Sequence, residues 1–279
     1  MTSLPESIGN LKNLEELTIK SENIGTLPES IGNLERLNEL SIEGAYFSSL
    51  PETIGNLRSL VMLTLYRTQV KTLPYTIGNL SKLEELFLLI CTELESLPKT
   101  IRNLSSLELL VISGGNISML PESIGDINSL LGLILQYTDI ESLPSSIGNL
   151  TNLEFLAVFN SQIGNCGLEF SDYKVWYPDE KLEKKSFFTD LPDTVCKLAS
   201  LKFLKLSDTK ITSLPDFLGR LPALEKIDIS GCSIKTIPPS IQSRIENGKL
   251  VLFRTGDEAK ARSGSFKFGN FWINIMLVN

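Results

Sequence analysis

The chain has 279 residues, with 26 Lys and Arg against 33 Asp and Glu, no His and four Cys. The lack of His excludes Ser-His-Asp and Cys-His nucleophile systems, imidazole acid–base chemistry and every His-ligated metal site. The net charge of −7 argues against nucleic acid and against an anionic membrane surface, both of which require clustered Lys and Arg.

Taken in chain order, the first residues, MTSLPESIGN, lack the basic and apolar regions of a signal peptide. No apolar run approaches the ~20 residues of a membrane helix. As written the chain reads as cytoplasmic, and as secreted should its N-terminus be truncated. A Leu-Pro or Ile-Pro step then recurs at Leu4, Leu27, Leu50, Leu73, Leu97, Leu120, Leu143, Leu191, Leu214 and Ile237, at intervals of 23 residues except for one of 24 and one of 48. Most steps open a variant of LPESIGNL. Each runs into LxxLxL, as at Leu14-Leu17-Ile19, Leu60-Leu63-Leu65, Leu83-Leu86-Leu88 and Leu201-Leu204-Leu206. Alternation with period 2 predicts a short strand whose Leu side chains share one face. The Pro fixes φ and the Gly keeps the return segment short. One such unit cannot bury its own apolar face, so neighbours stack and their strands pair in parallel.

This wording, LPxxIGNLxxLxxLxL from Leu4 to Phe253, resembles the leucine-rich repeat family. It is most similar to the repeats of Ras-group cytoplasmic proteins, plant immune receptors and spirochaete proteins. The resemblance implies an α/β, right-handed horseshoe solenoid. Its concave face is a parallel sheet and its convex face carries short helical, 3-10 or irregular segments. Residues 1–254 make the solenoid of nine to ten repeats, with an insert at about 164–189, and 255–279 form a C-terminal cap or tail. The position five residues after the second Leu, where many members carry Asn or Cys, reads Glu22, Ala45, Thr68, Cys91, Gly115, Thr138, Ser161, Thr209 and Cys232. Thr, Ser and Cys can serve there as small polar rungs, whereas Ala45 and Gly115 predict looser turns. The 24-residue repeat predicts a local bulge beside Cys91.

Three irregularities stand out. The 48-residue interval holds one repeat plus an aromatic and charged insert, Gly164 to Thr189. Tyr173, Trp176 and Tyr177 there read as an aromatic lip beside the binding face, or as buried residues of a degenerate repeat. Cys166 and Cys196 flank it, free thiols by default and a staple only in an oxidising compartment. At the N-terminus the chain starts inside a repeat. That points to a fragment, to end-to-end association, or to residues 1–14 folding over the first strand. At the C-terminus, Lys249 to Phe253 falls in phase as a tenth strand, with Leu250 placed 23 residues after Ile227. Phe266 to Asn279 then reads as a strand pair covering the last repeat, or as a segment that docks elsewhere.

The residues between the core Leu positions point away from the core and build the concave surface. Both ends of it are polar. The middle collects Met62, Tyr66, Phe87, Leu89, Leu109, Val111, Ile134, Phe155, Phe159 and Phe203, bordered by Ile90 and Tyr137. At ~4.8 Å between strands this makes an apolar patch of several hundred Å², expected to be exposed. β-propensity alone, or a tail folding back over the patch, are the competing explanations. The sequence has no P-loop, dinucleotide fingerprint, CxxC pair or HExxH, and paired acids such as Glu84 and Glu85 read as solvated. No catalytic, cofactor-binding or metal-binding residue is expected, and the chain reads as non-enzymatic. The resemblance implies protein or peptide recognition through the concave face, with Phe87, Ile134, Phe155 and Phe159 as central anchors. Self-association through the same patch is a further option. The chain could also be the sensor part of an immune receptor or signalling protein, or a bacterial surface binder of host proteins.

Overall fold

The structure, a computed structural model, describes residues 3–44, 46–160, 168–170, 173–175, 186–254, 264–268 and 271–275. Seven five-residue strands recur at the LxxLxL positions. They are β1 (Glu16–Lys20), β2 (Glu39–Glu43), β3 (Met62–Tyr66), β4 (Glu85–Leu89), β5 (Leu109–Ser113), β6 (Gly132–Gln136) and β7 (Phe155–Phe159). After the insert, which carries the ribbon β8 (Leu168–Phe170) and β9 (Tyr173–Val175), the series continues as β10 (Phe203–Lys205), β11 (Lys226–Asp228) and β12 (Val251–Phe253). These ten repeat strands form one sheet in the order β1-β2-β3-β4-β5-β6-β7-β10-β11-β12. Every pairing in it is parallel and in register, Leu63 opposite Leu86 and Leu86 opposite Leu110.

The 48-residue interval therefore adds no strand to the sheet, since Phe155 of β7 pairs directly with Phe203 of β10. The solenoid resumes at buried Phe188, whose carbonyl accepts from the Lys210 amide.

The convex side is a row of five-residue 3-10 helices such as Glu52–Asn56 and Tyr75–Asn79. Each starts after a proline in extended conformation (Pro51, φ −65°, ψ 149°), whose ring fixes φ and whose carbonyl accepts the first bond of the turn, from the Ile54 amide at 3.0 Å. Neighbouring turns are laced together, Thr53 Oγ1 donating to the Glu29 carbonyl and Thr76 Oγ1 to that of Glu52 at 2.6 Å. They pack so closely that a Cβ on Gly55 would lie 2.4 Å from the Thr76 carbonyl oxygen. Between sheet and 3-10 row runs one continuous core of Leu and Ile from Ile19 to Leu250.

Strands β2 to β6 are each followed directly by a residue in the left-handed region, and β10 and β11 by one three positions on. Gly44, Gly114 and Gly231 occupy it, but so do Arg67, Ile90, Tyr137 and Asp208, at φ 50–56°. The turns that follow carry the expected polar rungs. Thr68 Oγ1 and Cys91 Sγ lie 3.3 Å apart, and Thr209 Oγ1 donates to the Leu206 carbonyl at 2.7 Å. At Gly115 the chain turns at φ +92° and stays tight, Asn116 N donating to the Leu94 carbonyl at 2.7 Å. Ala45 and Ser161 lie outside the described residues. The extra residue of the 24-residue repeat falls between strands. Glu85 pairs with Met62, 23 back, whereas Ser96 bridges Thr72, 24 back.

Two terminal expectations are corrected. The tenth strand forms, but Leu252 and not Leu250 pairs with Ile227. An α-helix, α1 (Pro239–Glu246), replaces the 3-10 turn and lengthens the repeat by two residues, which preserves the face of each side chain. The C-terminal segment forms an antiparallel hairpin, β13 (Gly264–Phe268) and β14 (Phe271–Ile275). That hairpin does not extend the sheet beyond β12, and β14 lies instead beside β8 of the insert. At the opposite end Leu4, Leu14 and Leu17 are only partly buried and Leu11 is exposed. Among the described residues no helix is long and apolar enough to cross a membrane.

Candidate partner-binding face

Strand alternation sends Leu86 and Leu88 into the core and Glu85, Phe87 and Leu89 to the opposite face. Repeated along the sheet, this gathers a second apolar cluster, separate from the core: Met62, Phe87, Leu89, Leu109, Val111, Ile134, Phe155, Ala157, Phe159 and Phe203, with Tyr66 and Leu131 packed against it. The parallel register places Phe87, Val111, Ile134 and Ala157 in one row across β4 to β7. The rings of Phe155 and Phe203 meet edge to face at 5.0 Å, a favoured aromatic geometry. Tyr137, in the left-handed position after β6, is buried beside the cluster. Burial and then the Asp208 charge push its phenol upward, so it stays a neutral donor.

The patch is assembled as expected, but it is not exposed. Phe87 is 1% exposed, Leu109 and Val111 0% and Ile134 1%. Exposure returns at both ends. In β1, Glu16, Thr18 and Lys20 face solvent, and β2 is half-buried at Glu39, Ser41 and Glu43. A single open sheet cannot close its own face, so the middle of this one is covered.

Polar residues that sequence reasoning passed over lie at the margins of the cluster. Glu85, read from the sequence as solvated, is 7% exposed. Burial, followed by repulsion from Glu84, Glu39 and Glu108, pushes its carboxyl up to about 7. Ser113 Oγ donates to Gln136 Oε1 at 3.3 Å, both residues buried. Lys205 Nζ sits 2.6 Å from Asp228 Oδ2 and 5.1 Å from the centroid of Phe159, so the ion pair closes the β10–β11 side of the patch. Only the strand period located these positions; their burial carried no sequence signal.

Of the insert aromatics, Tyr173 belongs to β9 by its backbone. Its side chain, Trp176 and Tyr177 lie outside the described residues, as does Cys166. Cys91, Cys196 and Cys232 are free thiols. Burial pushes the Cys91 thiol up to about 11, which leaves it a structural rung and not a nucleophile. Among the described residues no group of three or more Cys, Asp or Glu could hold a metal ion.

Comparison with known proteins agrees with this architecture. Residues 39–114 match the model described as leucine-rich repeat region, and 199–242 that described as leucine rich repeats in two copies. The chain is similar to the leucine-rich repeat domain of the type III effector XopL, at 25% identity and TM-score 0.72, covering 89% of this chain and 79% of that one. It is similar to a TDR receptor at 26% identity and TM-score 0.63, covering 90% of this chain and 40% of that chain. The functional domain of InlJ from Listeria monocytogenes shares the fold at 18% identity and TM-score 0.64, covering 91% of this chain and 46% of that one. No curated protein matches the sequence. As a family, leucine-rich repeat folds are protein-interaction modules, typically without catalysis.

Proposed function

Taking as premise that the chain is a leucine-rich repeat protein, we propose that it is a non-enzymatic recognition module that binds a protein or peptide through the concave face of β3 to β10. One observation carries this reading: the apolar cluster from Met62 to Phe203 lies opposite the core, where the repeat itself needs no apolar residue. The Leu columns already supply the stacking energy. Ten further apolar side chains on the other face, nine of them larger than Ala, add nothing to repeat closure and make a surface suited to an apolar partner. Phe87, Ile134, Phe155 and Phe159 are its anchors. A rigid parallel sheet holds them, so little ordering entropy is lost on association. Polar residues at the two ends, Glu16 and Lys20 on one side and Lys226 on the other, set orientation more than affinity.

The test is a displayed-peptide selection on the immobilised full-length protein, with Phe87→Glu/Ile134→Glu/Phe159→Glu as the comparison surface. Peptides enriched on the wild type and lost on the triple variant support the reading. Peptides that hold both equally place recognition elsewhere on the molecule.

A second reading is favoured by the partly buried edge at Leu4, Leu14 and Leu17: the solenoid is the sensor portion of a larger receptor or signalling chain. A longer reading frame through Met1, with repeats continuing in phase, would decide for it.

A further inference from the structure

Something covers the middle of the concave face, and the described strands restrict what it is. Val111 and Leu109 are 0% exposed on a face where β1 is open to water. The 3-10 row lies on the opposite side of the sheet and cannot reach them. Among the described residues, the strands outside the ten-stranded sheet are the insert ribbon β8–β9 and the hairpin β13–β14, and these two lie side by side through β8 and β14.

The hairpin has the composition of a covering layer. Its register pairs Phe266 with Ile273, Phe268 with Phe271 and Gly264 with Ile275. Directly paired residues of an antiparallel ribbon share a face. One face thus holds Phe266, Phe268, Phe271, Ile273 and Ile275, and the other Ser265, Lys267, Trp272 and Asn274. A two-stranded ribbon is marginal by itself and persists when its apolar face is packed on another layer. The chain is long enough for this. Ten residues separate Phe253 from Gly264, which extended reach ~33 Å. Crossing from β12 to β4 is six strand steps, roughly 29 Å. The anchor also fits, because the insert leaves the sheet directly after β7, one of the strands that carry the buried cluster.

We propose that the C-terminal hairpin Gly264–Ile275, laid beside the insert ribbon, is the intramolecular occupant of the concave apolar face, covering β4 to β7. The molecule is then two-layered over its centre and single-layered at its ends. The consequence rests on the recognition reading above: the binding face is closed in the resting chain, and a partner gains it by displacing the hairpin. Such a partner must present a strand or ribbon with alternating aromatic and aliphatic residues, like the hairpin's own apolar face. The buried, upward-shifted Glu85 at the margin of the cluster is consistent with a covering layer.

The experiment places the photo-cross-linker p-benzoylphenylalanine at Phe266 in the full-length chain and maps the products by mass spectrometry. Intramolecular links to the peptides carrying Val111, Ile134 or Phe155 are expected. Links only to the 3-10 side, only to a second copy, or to nothing overturn the proposal. A second measurement guards against misfolding. In the full chain, Phe266→Asp/Ile273→Asp should raise the fluorescence of an added apolar dye (anilinonaphthalene sulfonate) several-fold, with the far-ultraviolet circular dichroism of the repeats retained. Ser265→Asp/Asn274→Asp, on the other face of the ribbon, should leave dye binding at the wild-type level, and an equal response from both pairs counts against the proposal. The two readings fail separately. Cross-links on the concave face with no peptide selected by the Phe266→Asp/Ile273→Asp chain keep the covering layer and remove recognition. Selected peptides that need Phe87 and Ile134, with cross-links elsewhere, do the reverse.

Discussion

A methyl group on Gly55 would lie 2.4 Å from a backbone oxygen, that of Thr76, and 2.6 Å from the Thr76 Cβ, where no side-chain rotation can relieve it. Gly55→Ala should therefore cost about 1–3 kcal/mol, the usual range for overpacking, read as a lowered denaturant midpoint. Gly248 is the control. Its φ is +67° but nothing lies within 4 Å of an added Cβ, so Gly248→Ala should cost only the left-handed strain, about 1 kcal/mol. Glu85 gives the pH dependence. Its folded carboxyl sits at about 7, against ~4.3 in an unfolded chain. The folded state then holds the proton more tightly, so stability is greatest below the unfolded value and falls as pH rises from ~4.3 to about 7. Glu108 is raised by burial as well and acts in the same direction. The loss is roughly 4 kcal/mol at most, and Glu85→Gln should flatten it when urea midpoints are compared at pH 4.5 and 7.5. Glu122 and Asp216 act oppositely, held low by hydrogen bonds from Ser146 and Ser240; their contribution is lost only as pH drops below the usual carboxylate range. Gly55 was legible in the sequence because most return segments repeat it, Arg102, Cys196 and Gln242 being the exceptions. Glu85 was not, because one residue type in one column says nothing of what lies above it.

At the scale of elements, the ladder from β1 to β11 followed from spacing alone, since a period of 23 leaves a parallel sheet no other register. The slip at β12 did not, because it depends on α1 completing a true helical turn where the other repeats make 3-10 turns. Two prolines, Pro238 and Pro239, open this return where the others have one, and the helix runs on through Glu246. The final sheet strands are also joined differently. Lys205 of β10 meets Asp228 of β11, whose other oxygen accepts from the Ser230 amide at 3.0 Å. With Asp228 3% exposed, removing one partner strands the other charge. Asp228→Ala should lower stability by roughly 3 kcal/mol. Lys205→Met/Asp228→Leu should lose clearly less, because no buried charge then remains. A double-mutant cycle on thermal unfolding checks this, and equal losses in the single and double variants would show that packing, not charge, is at stake. The strand period puts both residues on the concave face but cannot pair them, as the 23-residue separation turns into contact only when the repeats stack.

Over the whole molecule, each repeat touches only its neighbours, so stability is spread along the solenoid and local opening begins at the ends. Amides of β4 to β6 should exchange most slowly, and those of β1, which has one strand neighbour and a partly buried Leu17, among the fastest. Hydrogen exchange read by mass spectrometry gives this profile directly, and a flat profile would mean that the ten strands open as one unit. The same geometry governs association. An uncovered apolar face on a soluble horseshoe would meet its own copy, since a two-fold contact needs only one self-complementary patch. With the hairpin over it, as proposed above, the face is closed to a second copy in the resting chain. The full-length wild type should therefore elute as a monomer near 30.9 kDa by light scattering. Phe266→Asp/Ile273→Asp should self-associate in a concentration-dependent way, and adding Phe87→Glu/Ile134→Glu/Phe159→Glu should return it to monomer. The order of these three results matters more than any one of them. A wild-type dimer dispersed by the concave charges would make the second copy, and not the hairpin, the cover over Val111. A monomer throughout would mean that the hairpin residues act on no surface the concave anchors share.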